Sequence, residues 1–150
     1  MSGSTQPSAT GAAVLAEAET WLGTPYRHQG SRKGVGCDCL GLIRGIWRAL
    51  YGREPEQPGP YTPDWAEVGK GDPLLEAAYR HFIEKPFDAA WPGDLLVFRW
   101  REHHAAKHLG IFLDGDRFLH AYEGHAVMVS PLIPQWRRRI AGVFAFPEIG

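Results

Sequence analysis

At 150 residues, with 44% apolar and 22% charged residues, the chain has the composition of one ordinary globular domain, which excludes a disordered or fibrous protein. A formal net charge of −1 provides no long-range field for a polyanion, so nucleic acid is excluded as the expected partner. No run of 18 apolar residues offers a membrane span, and residues 1–11 lack the basic start and apolar block of a secretory leader, so synthesis in the cytoplasm is expected.

Residues 1–11, rich in Ser, Thr and Gly, read as a flexible arm ahead of a single domain over 12–150. Val14, Leu15, Ala18, Trp21 and Leu22 recur at helical spacing and predict an amphipathic helix over 12–22, closed by Gly23. Thr24-Pro25 then forces extended backbone, which leaves Tyr26 on a loop. The polar, glycine-rich stretch 27–36 leads into Gly36-Cys37-Asp38-Cys39-Leu40-Gly41-Leu42, which holds both cysteines. A second helix is predicted over 39–51, with Leu42, Ile43, Ile46, Trp47 and Leu50 on its apolar face. Gly41 and Gly45 share one side of it. Each costs about 1 kcal/mol of helix propensity, which points to close approach of another element.

Residues 52–72, with Pro55, Pro58, Pro60 and Pro63, read as an irregular excursion, and Asp72-Pro73 as the start of a helix reaching about Ile83. Five strands are predicted over 95–100, 108–113, 117–122, 126–130 and 140–146. Helices followed by a meander of antiparallel strands make an α+β fold.

A thiol at the first turn of a helix faces unpaired N–H groups and the positive end of the macrodipole, which favour a nucleophilic thiolate. The competing reading makes Cys37 and Cys39 small buried hydrophobes. Cysteine chemistry needs a histidine to hold the thiolate and protonate the leaving group, and of seven histidines only His108 and His120 fall inside predicted strands. If a three-residue loop over Asp114-Gly115-Asp116 places Leu113 opposite Arg117, His108 and His120 become diagonal neighbours on one face, with Gly110 between them. A slip of one residue would send them to opposite faces. In the favourable register Cys39 is the nucleophile, His108 the base and His120 the group that orients it. A metal site of Cys37, Cys39, His108 and His120 is a rival reading, although Cys-x-Cys is tighter than ordinary zinc spacing; no cofactor is expected otherwise. Cys37 has no assigned role, and Arg137-Arg138-Arg139 reads as a solvated strand edge or a protein contact.

Gly23-Thr24-Pro25-Tyr26, Asp38-Cys39-Leu40-Gly41-Leu42, Pro92-Gly93-Asp94-Leu95, His108-Leu109-Gly110-Ile111 and Leu119-His120-Ala121 together resemble the ordered blocks of the NlpC/P60 cysteine peptidases. The resemblance implies a papain-like core and catalytic roles for Cys39, His108 and His120, with Tyr26 beside the active site and Asp38 in substrate recognition. It also implies cleavage of bacterial cell-wall stem peptides, often at the γ-D-glutamyl to diaminopimelate bond. Leu40 departs from the serine that often follows the cysteine. The segments 37–42 and 141–144 look closer to the peptidases of phage tails and gene transfer agents. Phage-like tail or baseplate proteins are therefore the implied partners, and the recipient's cell wall the implied place of action. A tail component with little activity is the alternative. Asp38 reads in parallel as the helix N-cap, the N–H of Cys39 and the Tyr26 hydroxyl as oxyanion donors, and Tyr61 and Trp65 as one wall of the cleft.

Overall fold

The computed structural model describes residues 7–56 and 71–149. The first helix, α1 (Ala9–Glu19), starts earlier than periodicity predicts because the Ser8 hydroxyl caps it by accepting from the Gly11 N–H at 2.9 Å. Residues 9–11, read as part of an arm, are therefore helical. Val14 and Ala18 bury its inner face.

Two short strands, β1 (Ser31–Arg32) and β2 (Gly36–Cys37), form a hairpin ahead of α2 (Cys39–Tyr51). The bounds of α2 are those read from sequence, and both ends have local causes. Asp38 caps the start by accepting from the Gly41 N–H, and Gly52, at φ 79°, ends it in the left-handed region. Gly41, Leu42, Ile43, Gly45, Ile46 and Trp47 are buried. A side chain at Gly41 would overlap the Gly30 carbonyl oxygen and one at Gly45 the Trp21 ring, so these glycines admit the neighbours that the sequence anticipates. On the outer face Arg48 donates to the Ser31 carbonyl at 2.6 Å, which ties the β1–β2 hairpin to the helix.

Next come α3 (Pro73–His81), β3 (Ile83–Lys85) and a turn of 3₁₀ helix at Phe87–Ala89. Asp72 does not cap α3 with its side chain. Its carboxylate instead accepts from the Ala106 N–H at 3.0 Å, and Glu76 accepts from the Asp72 N–H. The strands β4 (Leu95–Phe98), β5 (His108–Phe112), β6 (Arg117–Ala121) and β7 (Val127–Pro131) form the expected meander. After the short helix α4 (Pro134–Arg137), β8 (Ile140–Ala145) departs from it. This strand inserts between β3 and β4, giving an antiparallel sheet of order β3-β8-β4-β5-β6-β7.

Alternation divides the core between the two faces of the sheet. Leu95, Val97, Leu109, Ile111 and Leu119 pack with the apolar face of α2. Leu96, Phe98, Phe118 and Val143 form a second cluster on the other face, covered by Trp136.

Candidate active site

Cys39 opens α2 because its N-cap is locked. One Asp38 carboxylate oxygen takes the Gly41 N–H at 2.7 Å and the other takes the Gln29 N–H at 2.7 Å. Asp38 is thus both helix cap and staple for the loop that carries His28, whose Nδ1 lies 3.9 Å from it. Both cysteines are free thiols.

The hairpin closes in the register that the chemistry requires. Ile111 pairs with Leu119 and Phe112 with Phe118, and the Leu113 N–H donates to the Arg117 carbonyl at 2.8 Å. His108 and His120 therefore share a face, and His108 Nε2 meets His120 Nδ1 at 2.7 Å. At Gly110 a Cβ would stand 3.0 Å from Phe118 and 3.2 Å from the Leu119 carbonyl oxygen, so the tight neighbours are those and not His120, which at 3.5 Å is in ordinary contact. The far nitrogen of His120, Nε2, lies 2.8 Å from the Ser130 hydroxyl.

The face is that of Phe98 and Phe118, turned away from the apolar stripe of α2. Cys39 and His108 therefore approach one another around the start of β5, lining one cavity, and not across the sheet. Together with Tyr26, His28, Asp38 and Trp100 they line a cavity of about 100 Å³. Among the described residues, the hydrogen-bond contact of Cys39 Sγ is with the Lys107 carbonyl, at 4.0 Å.

Aromatic rings shield the histidine pair from water. Trp100 stacks on His108 with centroids 5.6 Å apart, Trp136 lies 5.7 Å away, and Tyr122 stacks on His120 at 5.2 Å. Burial, reinforced by the neighbouring His120, holds the His108 pKa well below its usual 6.5; burial brings that of His120 down to about 4. The thiol is displaced in the opposite sense from the sequence expectation. Burial first, and then the Asp38 charge, push the Cys39 pKa up to about 12, against the lowering pull of the Leu109 and Leu40 N–H groups. Burial thus opposes the helix terminus at Cys39 and disfavours the charged form of both imidazoles. Burial, with Cys39 and Asp38, also raises the pKa of Tyr26, so its phenol remains a donor.

Cys37 is fully buried in β2, its thiol pushed up to about 12 by burial and then by Asp38. Among the described residues no three His, Cys, Asp or Glu side chains converge as a metal-ligand set. Tyr61 and Trp65 lie outside the described residues. A larger pocket, of about 230 Å³ between α2 and α3, is lined by residues such as Ile43, Leu74 and Phe82 and contains no cysteine. Sequence reasoning overlooked Trp100, Trp136 and Ser130. All three reach the histidines only through the folded sheet, and Ser130 carried no motif.

A cysteine at the first turn of a helix, with a histidine pair on the adjoining antiparallel sheet, is the arrangement of the papain-like thiol hydrolases. The NlpC/P60 family model matches residues 23–144, and the chain belongs to that family. Among curated relatives it is 26% identical over 148 residues to Gamma-DL-glutamyl hydrolase of Bacillus subtilis, covering 95% of this chain and 31% of that protein. To Murein DD-endopeptidase MepS/Murein LD-carboxypeptidase of Escherichia coli it is 28% identical over 127 residues, covering 84% and 57%. The chain thus spans about a third to just over half the length of these two relatives. The solved NlpC/P60 domain of the peptidoglycan hydrolase SagA shares 30% identity at a TM-score of 0.57, covering 92% of this chain and 98% of that one. An NlpC/P60 family protein from Bacillus cereus, 17% identical with a TM-score of 0.66 over 93% of this chain and 41% of that one, shares the fold.

Proposed function

We propose that the protein is a cysteine endopeptidase that hydrolyses cell-wall stem peptides at the γ-D-glutamyl to diaminopimelate bond, with Cys39 as nucleophile, His108 as base and His120 as orienting group. The observation that carries this reading is that His108, which lines one cavity with Cys39, is bonded from behind to His120 at 2.7 Å. The names of the murein endopeptidase and the peptidoglycan hydrolase among its relatives support the substrate class, and that of the γ-glutamyl hydrolase supports the bond.

In this mechanism the proton of the Cys39 thiol passes to His108 as sulfur attacks the carbonyl carbon. The N–H of Cys39 and the Tyr26 hydroxyl donate to the oxyanion. The His108 imidazolium then protonates the departing amine, leaving a thioester. His108 next takes a proton from water as it attacks, the carbon–sulfur bond breaks, and the thiol is restored.

Ser130 sets which nitrogens carry protons. For His108 to accept the thiol proton at Nδ1, its Nε2 must be protonated and donate to His120 Nδ1. His120 then donates from Nε2 to the Ser130 hydroxyl. Ser130→Ala leaves that buried donor unpaired and frees the wrong tautomer, a cost of about 1.4 kcal/mol or a tenfold fall in kcat with little change in KM. Steady-state kinetics of Ser130→Ala and Ser130→Thr check this, the threonine variant recovering most of the rate.

The likeness of residues 37–42 and 141–144 to phage-tail and gene-transfer-agent peptidases supports delivery to the recipient's wall by a tail or baseplate. The deciding experiment incubates wild type and Cys39→Ala with muropeptides and reads the products by mass spectrometry. Wild type is expected to release fragments beginning at diaminopimelate, and the variant none. Identical products, or none from either, would favour the tail component without catalysis.

A further inference from the structure

The basic run 137–139 is not absorbed by the catalytic site. Arg137 pairs with Asp116. Arg138 and Arg139 instead line a groove of about 560 Å³ with Arg99, Trp100, Arg101 and Glu102. Four arginines against one glutamate make this groove strongly positive in a chain whose formal net charge is −1. Arg99 is partly engaged, donating to the His104 carbonyl at 2.5 Å and standing 3.4 Å from Asp72. The Arg139 guanidinium is laid over Trp100 at 5.0 Å and Trp136 at 5.7 Å, which fixes its plane while its N–H groups remain able to donate. Arg101 and Arg138 make no ion pair among the described residues.

Trp100 belongs to both this groove and the catalytic cavity, and it stacks on His108. The groove therefore ends against Trp100, one ring away from His108, the group placed to protonate the departing amine. The half of a peptide substrate that leaves as the amine lies on the His108 side of the scissile bond and ends in a carboxylate, which a guanidinium fork binds through two parallel N–H donors.

We propose that the Arg99–Arg101–Arg138–Arg139 groove is a subsite for the C-terminal carboxylate of the amine-leaving half of the substrate, selecting short peptides with a free carboxyl end. This rests on the peptidase reading above. Two substrates test it: a γ-D-glutamyl-diaminopimelyl-D-alanine peptide with a free C-terminal carboxyl, and its C-terminal amide. Wild type is expected to show a KM about tenfold lower for the acid, and the Arg101→Gln/Arg138→Gln variant to lose that preference by a rise in KM for the acid. Cleavage of both peptides with equal KM, or a preference that survives in the variant, overturns the subsite. If neither peptide is cleaved, the peptidase reading fails separately, and calorimetric binding to Cys39→Ala decides the subsite. Tighter binding of the acid than of the amide, lost when both arginines are changed, supports it, and equal binding of the two peptides overturns it.

Discussion

Replacing His108 by alanine is expected to lower kcat/KM by about 10³- to 10⁴-fold, the loss that follows removal of a general base and acid. The pH profile of the wild type shows in which protonation state that histidine works. A buried imidazole with its pKa held well below 6.5 takes up a proton only in acid, so the acid limb of kcat/KM lies below pH 6.5. With the thiol pKa pushed up to about 12, Cys39 keeps its proton through neutral and mildly alkaline pH, so no alkaline limb appears below about pH 9. The result is a broad plateau across neutrality. A resting thiolate–imidazolium pair would give a bell instead, with an alkaline limb where the imidazolium deprotonates. Alkylation of Cys39 in a Cys37→Ala background is expected to accelerate steadily with pH up to 9, without levelling off near neutrality. A plateau in alkylation below pH 8 would show the thiolate already formed and sink the neutral-pair mechanism.

The second large effect concerns Gly41, where propensity and packing predict opposite signs. Considered as a helix-interior glycine, Gly41→Ala should gain about 1 kcal/mol. In the folded chain the new methyl would overlap the Gly30 carbonyl, a backbone atom held in place by the Asp38 N–H at 3.2 Å. Displacing that loop also strains the Ser31 hydroxyl bond to the Gly41 carbonyl, 2.7 Å long, and the Asp38 cap. A net destabilisation of about 2–3 kcal/mol is expected, typical of overpacking. Urea unfolding measures it as a lower midpoint with an unchanged slope. Activity should fall as well, since the same loop and cap position Cys39. A variant more stable than wild type would show that the loop moves aside freely.

What the sequence made legible was local. The span of α2 followed from an Asp38 cap, a glycine stop and a single apolar stripe. The β5–β6 register followed from a tight loop: Gly115 and Asp116 both take positive φ, at 60° and 59°, which the Asp-Gly-Asp run readily accommodates. That register alone placed His108 beside His120. What was not legible depended on distant partners. β3 is three residues long and owes its existence to β8, about sixty positions later. Asp72 looks like a cap, yet its carboxylate is drawn to the Ala106 N–H. The environment of the thiol is non-local for the same reason: the helix terminus is visible in the sequence, whereas the burial that opposes it comes from the folded chain. The second face of the sheet, with Trp100 and Trp136 around the histidines, likewise has no short-range signature.

The placement of β8 bears on how the protein is made. Strands β4 to β7 are joined by short connections and can pair in the order in which they leave the ribosome. β8 must instead enter the gap between β3 and β4, so the sheet is incomplete until residue 145 has been translated. Cys39 emerges more than a hundred residues earlier. A nascent chain therefore carries the Cys39 thiol well before the sheet that holds His108 is complete.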